Sequence, residues 1–322
     1  MGQLIEGVWR DQAPASGGDG RFHRTETQFR NWVTADGSPG PTGEGGFKAV
    51  RGRYHLYVSL ACPWAHRTLI IRRLKRLEDA IGVSVVHWHM DREGWEFRDG
   101  PGATGDRLYG LDYLHQIYTR AKSDYTGRAS VPVLWDKERG TIVNNESGEI
   151  IRMLNAAFDR VGADGPDFYP EALRPAIDAI NERVYETVNN GVYKAGFARS
   201  QEAYEEAARA LFATLDDLED LLASQRYLAG DRITEADWRL FTTLVRFDAV
   251  YVGHFKCNLR RLVDYPNLWA YARELYQVPG VAGTVDFHHI KHHYYGSHKS
   301  VNPTGIVPIG PMIDWTEPHG RG

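Results

Sequence analysis

The sequence predicts an α/β N-terminal half followed by an all-helical C-terminal half. Three observations carry that division. Residues 54–154 alternate short β-rich runs with helical ones, in the order strand, helix, strand, long insertion with a helix, strand, strand, helix. Residues 162–170, rich in Gly, Asp and Pro, end that pattern as a linker. From about 171 to 292, apolar residues recur at helical spacing, as at Leu211, Leu215, Leu218 and Leu222. At 322 residues the chain is long enough for two ordinary domains. The expected divisions are an extended arm (1–50), the α/β domain (51–160), the helical domain (171–295) and an extended tail (296–322).

The arm carries Ser16-Gly17-Gly18-Asp19-Gly20 and a second glycine-rich run at 37–46, with little periodicity. Trp9, Phe22, Phe29 and Trp32 are expected to pin it to the domain it wraps. Residues 54–60 predict the first strand, and 63–77 a helix with its apolar face at Leu69, Ile70 and Leu74. Residues 81–88 predict a second, largely buried strand. The stretch 91–128 is too long for a simple connection, and long ordered insertions usually serve as lids or binding loops. Residues 130–136 and 141–144 form a hairpin about Lys137-Glu138-Arg139-Gly140, and Asn145-Glu146-Ser147-Gly148 then leads into a helix at 149–154.

That order is the thioredoxin order, in which a proline opening the third strand lies beside an active cysteine. A cis Val131–Pro132 bond there leaves the valine backbone free to pair with a peptide-like ligand. In the helical half, Thr234-Glu235-Ala236-Asp237 is a capping box with Asp in place of Glu, flanked by Ile233 and Trp238 as a hydrophobic staple. It reads as a folding feature.

A formal net charge of −4, with no basic run interleaved with aromatics, argues against a nucleic-acid surface. The first six residues have neither a basic nor an apolar leader region, and Glu6 stands where a myristoylation signal needs Ser or Thr. No apolar stretch approaches the length of a membrane span. Two cysteines make no disulfide scaffold and fit a reducing compartment, so a cytoplasmic location is expected.

Chemistry concentrates at Ser59-Leu60-Ala61-Cys62-Pro63-Trp64-Ala65-His66-Arg67, between the first strand and the first helix. A cysteine at a helix N-terminus faces unpaired N–H groups and the positive end of the dipole, which favour thiolate. Pro63 suits the first helical turn, where a missing N–H costs nothing. Ala65 stands where a Cys-x-x-Cys site would place its second thiol. A sulfur that resolves an adduct on Cys62 therefore comes from outside the motif, most simply from a small thiol.

These residues resemble the glutathionyl-hydroquinone reductases, the Xi class of glutathione transferases. The resemblance rests on residues 54–67, Val131-Pro132-Val133-Leu134-Trp135-Asp136, Ile142-Val143-Asn144-Asn145-Glu146-Ser147, and the runs 191–198, 250–257 and 302–306. It covers nearly the whole chain. It implies the glutathione-transferase fold, a thioredoxin-like domain plus an all-α domain. It also implies glutathione (GSH) as co-substrate, glutathionylated hydroquinones as substrates, no metal, and a homodimer.

The same resemblance implies roles by position. Cys62 is the nucleophile, and Tyr193, Tyr251 and Tyr294 are substrate-side tyrosines. Trp95 matches the family's glutathione-side tryptophan, and Val131, before Pro132, pairs with the cysteinyl backbone. Chemically, Ser147 at a helix start offers a hydroxyl and free N–H groups to the γ-glutamyl carboxylate, and Glu146 is the anion for its ammonium. The cycle is a Cys62–glutathione mixed disulfide formed as hydroquinone leaves, then resolved by a second GSH. Because an aryl carbanion leaves poorly, the ring is expected to leave from a keto tautomer.

Two rivals fit the same residues. One is an omega-like thioltransferase or dehydroascorbate reductase, which shares the Cys-Pro pair. The other is a non-catalytic protein that binds GSH or quinone. The tyrosines and the insertion favour the quinone reading. His288-His289-Ile290-Lys291-His292-His293 places histidines at i, i+4, a zinc-compatible spacing. No carboxylate motif accompanies it, and no metal site is expected. Cys257, in a helical apolar context, reads as structural.

Overall fold

The computed structural model describes residues 2–11 and 19–321. Residues 16–18 of the first glycine-rich run lie outside the described residues. The chain divides into two compact units. The first holds the N-terminal hairpin, Thr25–Pro166 and Thr284–His293; the second holds residues 19–24, Asp167–Gly283 and 294–321. Two boundaries differ from expectation. The arm is shared between the units, and residues 284–293 group with the first unit although they are helical.

In the first unit, β1 (Gln3–Ile5) and β2 (Val8–Arg10) form an antiparallel hairpin that the sequence did not announce. Its two turn residues, Glu6 and Gly7, have φ of 49° and 76°, the pattern of a twist-matched two-residue turn. A side chain at Gly7 would also meet the Ser123 carbonyl oxygen at 1.9 Å. The glycine is therefore fixed twice over.

The main sheet comprises β3 (Tyr54–Val58), β4 (Gly82–Val85), β7 (Val133–Asp136) and β8 (Thr141–Asn144), in the order β4-β3-β7-β8. The β3–β4 pair is parallel and the other pairs are antiparallel. Every residue of β3 and β7 is buried, so these central strands are near-continuous apolar runs rather than alternating ones. Between β4 and β7 the insertion contains a ribbon of β5 (Met90–Asp91) and β6 (Gly94–Trp95), then α2 (Leu114–Ala121).

The β3–β4 crossover is α1 (Pro63–Leu74), and α3 (Ser147–Ala156) follows β8 and packs on α1. The buried face of α1 includes Ala65, Ile70 and Ile71, whereas Leu69 and Leu74 are half-buried. The predicted face is therefore rotated. The cause is that His66, Arg67 and Thr68 are buried too, and no apolar pattern marks them. The arm aromatics are half-buried, and Leu4, Val33 and Phe47 are the residues that anchor it.

The second unit is helical: α4 (Arg174–Val184), α5 (Gly191–Gly196), α6 (Gln201–Ser224), α7 (Glu235–Arg246) and α8 (Pro266–Gln277). The last helix, α9 (Phe287–Ser297), contributes its final residues to this unit. Nearly all of α7 is buried, and Thr234 and Asp237 exchange both bonds of the capping box at its start. Leu211, Leu215, Leu218 and Leu222 form the buried stripe of α6. Wide turns at Tyr185–Asn189 and Phe247–Tyr251 extend α4 and α7. No helix among the described residues is long and apolar enough to cross a membrane.

Candidate active site

Cys62 is the N-cap residue of α1, with φ −77° and ψ 122°, and its carbonyl accepts from the His66 N–H at 3.0 Å. It is partly exposed. The first-turn N–H groups and dipole of α1 lie at this residue, which favours a thiolate there. Its Sγ donates to the Val131 carbonyl at 3.6 Å, and the Val131–Pro132 bond is cis, as the strand order implied. The nucleophile candidate and the peptide-pairing candidate thus meet directly.

Glu146 and Ser147 sit at the start of α3. Glu146, not Ser147, caps the helix, its Oε1 accepting from the Gly148 N–H at 3.1 Å. Thr27 Oγ1 donates to the other carboxylate oxygen at 3.4 Å. Ser147 is buried and accepts from Arg67 Nη1 at 3.4 Å. Trp95, on β6, is buried with its ring stacked on His293 at 4.6 Å.

Two supporting residues escaped the sequence reading. Tyr118, on α2, donates to the Ser130 carbonyl at 2.7 Å and accepts from Asn145 Nδ2 at 3.1 Å. It ties the residue before Val131 to the residue before Glu146. Arg67 stood in the quoted motif, but its side-chain direction could not be read. The guanidinium carbon lies 4.6 Å from the Trp64 ring centroid.

The three tyrosines meet within the second unit. Tyr193, on α5, and Tyr294, on α9, share a hydroxyl–hydroxyl bond of 2.5 Å, and Tyr251 meets the Tyr294 hydroxyl at 3.1 Å. Burial holds the Tyr251 and Tyr294 phenols well above the ordinary tyrosine value, and the neighbouring Tyr193 raises both further. Arg246 opposes the rise. These hydroxyls therefore stay protonated at neutral pH. Arg24 lies over the Tyr193 ring, 5.2 Å from its centroid, and donates from Nε to Asn190 at 2.7 Å.

The histidine run is occupied by packing. His288 and His292 stack on each other at 3.8 Å, and His289 Nε2 is 2.6 Å from the Pro101 carbonyl oxygen. His293 Nδ1 is 2.8 Å from the Trp88 carbonyl oxygen. Among the described residues no three His, Cys, Asp or Glu side chains are grouped to hold a metal ion. Cys257 is buried, and burial pushes its thiol far up. It lies past the wide turn, in non-helical chain, which corrects the helical context expected for it.

Family models of the glutathione S-transferase N-terminal and C-terminal domains match residues 61–157 and 201–274. These matches and the fold define the class as a glutathione transferase. The chain is 60% identical to glutathionyl-hydroquinone reductase YqjG of Escherichia coli K12, over 100% of this chain and 98% of that protein. It is 57% identical to glutathionyl-hydroquinone reductase PcpF of Sphingobium chlorophenolicum, over 97% and 96%. The glutathione-bound structure of YqjG matches with a TM-score of 0.93 at 58% identity, covering 99% of each chain. A Xi class transferase from Natrialba magadii matches with a TM-score of 0.92 at 51% identity, covering 100% of this chain and 96% of that one. The chain belongs to the glutathionyl-hydroquinone reductases, the Xi class of this superfamily.

Proposed function

We propose that this protein reduces glutathionyl-hydroquinones to hydroquinones with GSH, releasing GSSG. The observation that carries the reading is full-length identity of 60% and 57% to two reductases of that name. Cys62 at the start of α1, with its Sγ 3.6 Å from the carbonyl oxygen of the proposed peptide-pairing residue Val131, supports it with a suitably placed nucleophile.

In the proposed cycle the γ-glutamyl ammonium meets Glu146, its carboxylate meets Ser147 and the α3 N–H groups, and the cysteinyl backbone pairs with Val131 beside Pro132. Trp95 flanks the tripeptide. The hydroquinone ring first tautomerises, with a proton delivered to the carbon that bears sulfur. Cys62 thiolate then attacks that sulfur, the carbon–sulfur bond breaks, and its electron pair returns to the ring to give hydroquinone. Tyr193, Tyr251 and Tyr294 donate to the ring oxygens and supply the proton. A second GSH thiolate attacks the Cys62–glutathione disulfide and leaves as GSSG. The net change is one GSH and one glutathionyl-hydroquinone converted to hydroquinone and GSSG, with Ala65 leaving no second thiol in the motif to compete.

The second reading, an omega-like thioltransferase or dehydroascorbate reductase, is favoured by one observation. A relative in Schizosaccharomyces pombe, 49% identical over 91% of this chain, bears the name glutathione S-transferase omega-like 2. A cytoplasmic homodimer completes the proposal; two free cysteines fit a reducing compartment. The deciding assay supplies GSH with a synthetic glutathionyl-hydroquinone and, separately, dehydroascorbate. Hydroquinone and GSSG formed in equal amounts, much faster than dehydroascorbate reduction, is the expected result. Faster dehydroascorbate turnover would favour the second reading, and GSH binding without turnover a non-catalytic protein.

A further inference from the structure

Arg67 is 1% exposed on α1, the helix that begins at Cys62, and its Nη1 reaches Ser147 at the start of α3. One buried guanidinium thus joins the two helix starts that carry the proposed sulfur and γ-glutamyl subsites. An apolar side chain could pack the same helices without desolvating a cation. Its place between the two helix starts invites a functional reading.

The direction of the bond supplies one. A guanidinium has only donors, so Ser147 Oγ is the acceptor, and the single Ser147 O–H is left to donate elsewhere. Capping does not consume Ser147, because Glu146 Oε1 already takes the Gly148 N–H. Arg67 thus leaves a hydroxyl committed to donating, backed by fixed positive charge, at the N-terminus of α3. Both properties suit a carboxylate.

We propose that Arg67 is the positioning residue of the γ-glutamyl carboxylate subsite. It acts through Ser147 and makes the protein selective for thiol peptides that carry the free α-carboxylate. The inference rests on the reading of Ser147 as a carboxylate ligand.

The test is equilibrium binding of S-methylglutathione, which cannot react. Its analogue with 4-aminobutyryl in place of γ-glutamyl lacks only the α-carboxylate and serves as control. Ser147→Ala and Arg67→Gln are each expected to raise the S-methylglutathione Kd about tenfold. The double variant should lose no more than about twofold beyond either single one, because both act on one contact. The Kd of the control analogue should stay unchanged throughout. If Arg67→Gln does not fold, Arg67→Lys, which keeps the charge without the fork, is read against the same controls. Wild-type affinity in Ser147→Ala overturns the subsite reading itself. A tenfold loss in Ser147→Ala with wild-type affinity in the Arg67 variant overturns only the role of Arg67. Additive losses in the double variant, or an equal loss for the control analogue, also overturn that role in favour of a packing one.

Discussion

The Tyr118 hydroxyl holds Ser130 by both backbone groups, donating to its carbonyl at 2.7 Å and accepting from its N–H at 3.1 Å. Asn145 donates to the same oxygen. Tyr118→Phe would take this partner from the buried Asn145 amide and from the half-buried Ser130 backbone. A stability loss of about 1–3 kcal/mol in denaturant unfolding is expected. The KM for GSH should rise more than kcat falls, because Val131 and Glu146 lose their common anchor.

The two thiols should separate cleanly. Cys62 is partly exposed at a helix start, whereas Cys257 is buried with its thiol pushed far up. Iodoacetamide should label Cys62 alone in the native protein, with Cys257 reacting only after denaturation. Cys62→Ser should abolish turnover and the glutathione adduct seen by mass spectrometry after substrate addition. Wild-type turnover in that variant would sink the covalent scheme.

Tyr294 sits in the middle of the hydroxyl chain, bonded to both Tyr193 and Tyr251. Tyr294→Phe therefore disturbs all three donors with one oxygen removed. A fall in kcat of roughly 10²–10⁴-fold is expected if the chain serves proton transfer. GSH affinity should be unaffected. A change confined to GSH affinity would place these hydroxyls outside the chemistry.

Stability should fall in mild acid. Burial holds His55, His87 and His254 each down to about 4, against an ordinary 6.5, with Arg98 lowering His87 further and Lys256 lowering His254 further. Below about pH 6.5 the unfolded chain takes up protons that the folded chain refuses until about pH 4. The stabilisation is therefore complete above 6.5 and is lost as pH falls toward 4. The slope approaches about 1.4 kcal/mol per pH unit for each histidine. Tm measured from pH 7.5 to 5 should show the decline. His55→Gln, which removes one of these groups, should make it shallower.

Some of this was legible from local chemistry. A strand, then Cys-Pro, then a helical run specifies an N-cap cysteine within one turn, and Thr234 with Asp237 specifies a box across three residues. The Lys137-Glu138-Arg139-Gly140 turn likewise follows from its own residues. Less legible was the burial of α1, because His66, Arg67 and Thr68 take core positions through bonds to Thr284, Ser147 and Ala65. The capping role of Glu146 was hidden for a related reason. Adjacent Glu and Ser can both cap, and which one does so depends on what the other meets.

By itself, the sequence determined the order of the main-sheet strands and the helices between them, the lone thiol at the first helix and the absence of a resolving cysteine beside it. These are properties of neighbours along the chain, where propensity and steric limits act. Tertiary structure alone decided that Tyr193 and Tyr294, 101 positions apart, share a hydrogen bond. It also decided that Arg67 finds Ser147 80 positions away. No periodicity records such pairings, because they arise when helices pack and the buried polar groups must find partners.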